Sequence, residues 1–379
     1  MTDDTRVLGL AGLQALIDAL GLRGYTVIGP TVRDGAIVNA PISSLDDLPR
    51  GIGDEQDAAH YRLRDRGDEA LFGFAAGAQS AKPVLFPSDE LLWRSRRTAD
   101  VTVIDREVEP PPGPPYALIG VRSCDLRAIL MHDQILLERT AADVHYAARR
   151  AESFIVAVAC TDPAGTCFCV SMDTGPSPRG GYDLALTELY ADGEHRFVVA
   201  VGTDRGAEVL AEVAAATATA DDVAAAERVI TEASGRMGRA LQTDGLKYLL
   251  YANVESPHWD EVASRCLACT NCTLVCPTCF CTSVEDVTDL TGVNAERHRV
   301  WDSCFSEEFS YIHGGSVRES TRSRYRQWIT HKLAAWEDQF GSFGCVGCGR
   351  CITWCPAGID ITVEAAALRG TPSKTSQRS

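Results

Sequence analysis

The 379-residue chain has no apolar run approaching the roughly 20 residues that cross a bilayer, so no membrane span is expected. Its start, MTDDTRVLGL, lacks the basic-then-apolar pattern of an export signal, and a cytoplasmic location is expected. Basic residues are in deficit. The net charge of −16 disfavours non-specific nucleic-acid binding, because phosphate contacts need a basic surface. No G-x-G-x-x-G follows any strand-like run and no G-x-x-x-x-G-K-[ST] occurs, so a dinucleotide or nucleotide-phosphate site has no support. Also missing are H-E-x-x-H, a Ser–His–Asp arrangement and a paired-carboxylate motif, so no catalytic residue is assigned.

Cysteine, by contrast, is abundant: there are 15, and without export features they point to metal ligation in a reducing compartment instead of disulfides. Eight fall in two runs, CLACTNCTLVCP (266–277) and CVGCGRCITWCP (345–356). Each reads C-x2-C-x2-C-x3-C-P, the bacterial ferredoxin pattern for [4Fe–4S] clusters. Three thiolates two residues apart wrap three corners of one cubane, and the fourth, carried away by the following helix, ligates the other cluster. Cys266, Cys269, Cys272 and Cys355 are therefore assigned to one cluster, and Cys345, Cys348, Cys351 and Cys276 to the second. The competing assignment is structural zinc, which needs four ligands, usually two CxxC pairs, and not a third Cys plus Cys-Pro repeated twice.

The length predicts two or three domains with ample core, and the apolar content of 45% is ordinary. Leu10, Leu13, Ile17 and Leu20 recur at helical spacing, followed by a strand at 25–28 closed by Gly29-Pro30. GAIVNAPI is a further strand candidate, and EPPPGPP (109–115) reads as a stiff extended connector. YALIGV, SFIVAVAC, LALTELY and RFVVAVG are short apolar runs among helical stretches, which predicts an α/β layer with a mostly parallel sheet. The expected plan is an N-terminal region (1–115), an α/β domain with four cysteines (116–256), a mainly α-helical ferredoxin-like dicluster domain (257–365) and a disordered tail (366–379). In the 277–344 insert, SRYRQWITHKLAAWEDQF reads as a helix with Tyr325, Trp328, Leu333 and Trp336 in the core. Its Arg322, Arg324, Arg326, His331 and Lys332 form a charged face.

Seven cysteines remain. Cys124 follows one strand run, Cys160 closes the next, and Cys167 and Cys169 lie just beyond it. Ligands of open α/β sheets gather outside the carboxyl ends of strands. If the two strands are neighbours the four thiols converge, and a third [4Fe–4S] centre is expected. The alternative is that they are buried as small apolar residues. Cys279, Cys281 and Cys304 complete the set; TCFCTS (278–283) echoes TCFCVS (166–171). These three could take an outside ligand such as His313, but the favoured role is packing around the clusters.

Several of these segments together resemble a known family: GVRSCDLRAI, CFCVSMDTGP…GGYDLALTEL, CPTCFCTSVEDVTDLTG, WDSCFSEEFSYIHGG, SRYRQWITHKL and GCVGCGRCITWCPAGIDIT. They are similar to the iron–sulfur β subunits of soluble NADP-linked [NiFe] hydrogenases (sulfhydrogenases), to which the dicluster iron–sulfur component of anaerobic sulfite reductase is related. The likeness covers roughly residues 116–365 and is loose before that. It implies a cytosolic heterotetramer in which a flavin subunit takes hydride from NADPH. A small iron–sulfur subunit then leads to the large subunit holding nickel and iron, and this chain conducts between the two ends. The missing dinucleotide fingerprint agrees, as does the lack of nickel-type CxxC pairs. Two alternatives stand beside this: an electron-transfer subunit of a sulfite- or sulfur-reducing complex, and a structural zinc protein.

Overall fold

A computed structural model of the chain describes residues 5–97, 102–105, 115–138, 141–191 and 194–370. Residues 109–114 of the proline cluster and 371–379 of the tail lie outside the described residues. In chain order the strands are β1 (Arg6–Gly9), β2 (Thr26–Arg33), β3 (Ala36–Pro41), β4 (Ile52–Asp57), β5 (His60–Asp65), β6 (Asp89–Arg97) and β7 (Thr102–Asp105). They continue as β8 (Tyr116–Arg122), β9 (Phe154–Val158), β10 (Leu184–Ala191), β11 (Glu194–Val201), β12 (Ala216–Thr217), β13 (Thr282–Thr288) and β14 (Asn294–Trp301).

Eight of them form one sheet in the order β12-β1-β11-β10-β9-β8-β2-β3. The sheet is mixed, which corrects the mostly parallel expectation. Only β2–β8, β8–β9 and β9–β10 run parallel, whereas β2–β3, β10–β11, β1–β11 and β1–β12 are antiparallel. The reason is connection length. A parallel partner needs a crossover of a dozen or more residues. β11 begins three positions after β10 ends. The step from β2 to β3 is the Asp34-Gly35 pair, both at positive φ, a two-residue hairpin turn. β2 also runs on through Gly29-Pro30 to Arg33 instead of stopping there.

The parallel centre is where the continuous apolar runs belong, since both faces are covered. All of Phe154–Val158 is buried, as are Ala117, Leu118 and Ile119. The helix Leu10–Leu22 lays Leu13, Ile17 and Leu20 on one face of the sheet beside Phe154, Val156 and Phe197. The helix Ser123–Leu136 covers the other face with Leu126 and Ile129 against Ile155 and Ala157.

The C-terminal part is helical around the cysteine loops, but the insert between them is not wholly helical. It contributes the hairpin β13–β14, which joins β6 and β7 in a second, antiparallel sheet ordered β13-β14-β6-β7. The side chain of Asp289 closes that hairpin by accepting from the backbone N–H of Val293 and Asn294. The stretch 321–340 is helical as expected, with a π-helical turn at His331–Ala335 between two α-helical segments. The final helix (Ile361–Ala367) is followed by Leu368, which is fully buried, so ordered structure passes the expected start of the tail at 366.

Candidate iron–sulfur centres

The two cysteine runs share a backbone. The helix His258–Arg265 ends as the chain turns into Cys266. Ala268 (φ 50) and Thr270 (φ 68) then adopt left-handed conformations, as do Gly347 (φ 64) and Gly349 (φ 75) at the matching positions of the second run. Each turn sends a backbone N–H back onto the leading thiol: Ala268 N donates to Cys266 Sγ and Gly347 N to Cys345 Sγ, both at 3.4 Å. A left-handed residue other than glycine costs about 1–2 kcal/mol. The first loop sits at the surface and carries that cost. The second cannot take a side chain. A Cβ at Gly347 would lie 2.6 Å from the Phe168 carbonyl, and one at Gly349 2.5 Å from the Thr166 carbonyl oxygen. The glycines thus serve close approach to the TCFC loop at 166–169.

Cys266, Cys269 and Cys272 line a small pocket together with Cys355 and Cys351. Phe305, Tyr325, Trp328 and Ile359 supply apolar lining. Ile359 N donates to Cys355 Sγ at 3.4 Å, while Cys269 and Leu267 remain exposed. The thiols surround a space instead of meeting at a point. Among the described residues no group of three His, Cys, Asp or Glu closes as it would on a single ion. Such a ring of thiols with donors aimed at sulfur fits a multi-iron cluster, whose corners hold ligands apart.

Cys276, the last of the first run, faces away from this pocket and towards the second loop. It acts electrostatically on Cys345, Cys348 and Cys351. Burial pushes the Cys345 thiol up to about 12 and Cys351 well above the ordinary range. Packing such thiols together favours a bound cation that deprotonates them outright. The Cys351 thiol also feels Cys272, so the two sites adjoin there.

The four cysteines of the α/β region lie in one neighbourhood, at the ends of two strands and on the loop after them. β8 and β9 are parallel neighbours, with Cys124 and Cys160 each two residues beyond their ends. Cys124 and Cys169 pack with Cys348. Cys167 Sγ lies 3.9 Å from the Cys348 carbonyl oxygen, and its thiol feels both Cys160 and Cys169. The second TCFC loop packs beside Cys276 and the Gly344 end of the second run. The Cys279 thiol donates a hydrogen bond to Cys276 Sγ, and the Cys304 thiol donates one to Cys281 Sγ, which brings the Cys281 thiol down to about 7. The buried threonines of the two loops anchor them: Thr166 Oγ1 to Thr353 Oγ1 and Thr278 Oγ1 to the Gly344 carbonyl, each 2.8 Å. His313 lies exposed on the turn of a small surface hairpin, Tyr311–Ile312 against Gly315–Ser316, and among the described residues it forms no metal-binding group with these thiols.

Several buried cations beside these thiols are not legible as site residues in the sequence. Lys332, placed by its neighbours on a charged face, is 3% exposed and donates to Cys276 Sγ at 3.2 Å. Burial works against its charge, yet Cys276, Cys279 and Cys345 hold its ammonium well above the ordinary range. Arg324 of that face is also buried. Lys82 reaches the carbonyls of Leu274, Cys276 and Cys279, and burial pulls its ammonium down. Arg350, inside the second run, pairs with Asp125 of the α/β region. The available signal for Lys332 is its place between Ile329, Leu333 and Trp336 on the apolar stripe.

Residues 265–359 match the family described as the 4Fe-4S dicluster domain. The chain is similar to sulfhydrogenase 2 subunit beta of Pyrococcus furiosus, 35% identical over 248 residues that cover 65% of this chain and 71% of that protein. No solved structure matches it. Among the described residues no helix is long and apolar enough to cross a membrane.

Proposed function

The chain belongs to the sulfhydrogenase β-subunit family, and we propose that it is the electron-transfer subunit of a cytoplasmic, hetero-oligomeric NADP-linked [NiFe] hydrogenase. Its partners in this reading are the hydrogenase small and large subunits, together with an iron–sulfur subunit that binds flavin and NAD(P). The observation that carries the reading is that Cys355, from the second run, lines the pocket of Cys266, Cys269 and Cys272. These four hold one [4Fe–4S] cluster, and Cys345, Cys348, Cys351 and Cys276 hold the other.

When bound, the clusters supply one-electron transfer at potentials that depend on burial, charge and hydrogen bonds to sulfur. The chain's own residues set those conditions. Ala268, Gly347 and Ile359 aim N–H groups at ligand sulfur. Phe305, Tyr325 and Trp328 wall off one side of the first centre, and the exposed Cys269–Leu267 edge is the face open to a neighbouring redox partner. A sulfite-reducing complex would change the partners and leave this role intact.

The four α/β thiols extend the relay with a third [4Fe–4S] centre. Beside Cys160 lies Arg122, 3% exposed, donating only to the carbonyls of Phe72, Phe74 and Ala159 among the described residues. A buried guanidinium with no carboxylate bonded to it suits an anionic thiolate-bound group.

Anaerobic iron and acid-labile sulfide analysis with visible spectra tests the reading. About twelve irons per chain are expected, four per cubane, falling to about eight in Cys160→Ala/Cys169→Ala. Eight in the unaltered chain would show that the α/β thiols pack as small apolar groups. A colourless, iron-free chain purified under those conditions would remove the reading altogether.

A further inference from the structure

Lys332 and Lys82 are two buried ammonium groups directed at one cysteine and its loop. Lys332 sits on the π-helical turn at His331–Ala335, a device that reaims side chains and recurs at functional sites. Its Nζ donates to Cys276 Sγ (3.2 Å), Thr278 Oγ1 (3.1 Å) and the Gly344 carbonyl (3.4 Å). The backbone is pinned as well: Gly344 N donates to the Lys332 carbonyl at 2.7 Å. Lys82, 5% exposed, donates to the carbonyls of Cys276 (3.0 Å), Leu274 (3.3 Å) and Cys279 (3.3 Å). It also lies 3.8 Å from the centroid of the Trp301 ring.

Among the described residues neither ammonium forms an ion pair with a carboxylate. Burying one unpaired cation is costly, and burying two around one loop more so. The charge has a purpose if the group they face is anionic and becomes more so on reduction, as a thiolate-ligated cluster does. The first pocket differs in degree: the buried Arg324 acts on Cys266 and Lys332 on Cys272, but among the described residues no ammonium donates to a thiol there. Its walls near Cys266 and Cys355 are Phe305, Tyr325, Trp328 and Ile359, with no lysine among its lining residues.

We propose that Lys332, assisted by Lys82, raises the reduction potential of the cluster held by Cys345, Cys348, Cys351 and Cys276 above that of its neighbour. The proposal rests on the ligand assignment made above. The two centres then differ by design: the buried, lysine-backed one holds the electron, and the one nearer the surface passes it on. Lys332 acts through the Cys276 sulfur and is a positioning residue, not a catalytic one. Adding an electron to the cluster needs no covalent change in the lysine, whose N–H bond to sulfur strengthens as negative charge on the sulfur grows.

The test is a redox titration of the full cluster-loaded chain followed by electron paramagnetic resonance. Signals are assigned with Cys269→Ser, which lacks one ligand of the other centre. Lys332→Met is expected to shift the reduction equilibrium of the Cys276-linked cluster at least about tenfold towards the oxidised form, about 59 mV for a one-electron couple. The midpoint of the other cluster, whose Cys272 also feels Lys332, moves the same way by clearly less. Lys332→Arg, which keeps the charge, lies between the two. Lys82→Met, whose ammonium reaches carbonyls and not sulfur, shifts the same midpoint in the same direction by less. Where Lys332→Met fails to keep its iron, Lys82→Met decides. Unmoved midpoints in a variant with full iron content would overturn the proposal, as would an equal shift of both. Absence of two clusters from the unaltered chain would instead overturn the ligand assignment, so the two failures are distinct.

Discussion

Replacing Cys348 with serine in the assembled complex is expected to reduce NADPH-linked hydrogen turnover more than about 100-fold, beyond the range for loss of a metal's supporting hydrogen bond. Hydrogen oxidation by an artificial dye that collects electrons at the small subunit should be retained. The asymmetry follows from position. Cys348 is buried, packed with Cys124 and Cys169 on one side and in electrostatic reach of Cys276 on the other. In the proposed relay this makes it part of the middle centre, between the first pocket and the α/β thiols. Losing the middle of a relay interrupts transfer between its ends without touching chemistry at either end. The check is paired assay of the two activities on complex shown to contain all its subunits. Equal loss of both activities would place catalysis, not conduction, in this chain. Retention of both would place the route elsewhere.

The second large effect concerns how the centres are fixed to the fold. Arg350 is 1% exposed and Asp125 7%. The guanidinium grips both carboxylate oxygens, at 2.6 and 2.8 Å, and donates to the carbonyls of Gly77 (2.6 Å) and Gln79 (3.1 Å). One residue inside the second cysteine run thereby ties three distant segments together. Removing one member of such a pair leaves a buried charge without compensation and costs about 3–5 kcal/mol, whereas replacing both is often close to neutral. Arg350→Met is therefore expected to lower the thermal midpoint of the loaded protein markedly, and Arg350→Met/Asp125→Asn to recover much of the loss. A single variant as stable as the parent, or a double variant worse than the single, would show that the pair is not what anchors the loop.

What the sequence makes legible follows from local rules. Cysteine spacing identifies cluster loops because three ligands of one cubane lie within a single turn of chain. The helix at Leu10–Leu22 is visible because its apolar stripe faces the core directly. The mixed sheet is less legible. β10 and β11 look like buried parallel strands, since burial on both faces gives the same apolar run in either direction, and only the two-residue gap between them reveals the antiparallel return. The β13–β14 hairpin is hidden because its strands, TSVEDVT and NAERHRVW, are mostly polar and charged without a period-2 apolar pattern, and Val284 and Val287 lie open to solvent. Its partner β6 lies nearly 200 residues earlier in the chain. Lys332 is hidden for a different reason. A lysine within a run of Arg and His looks solvated until tertiary packing shows the sulfur and carbonyls on which it ends. The apolar stripe of Ile329, Leu333 and Trp336 marks it as buried, but what its ammonium meets belongs to the contact between a helix and a loop.

The central claim is that the two cysteine runs exchange their fourth ligands. An anomalous-scattering map recorded at the iron edge from crystals of the loaded protein tests it most directly. The account predicts Cys355 Sγ bound to the iron group enclosed by Cys266, Cys269 and Cys272, and Cys276 Sγ bound to the one enclosed by Cys345, Cys348 and Cys351. Iron groups ligated entirely within their own runs, or iron missing from either loop, would contradict it.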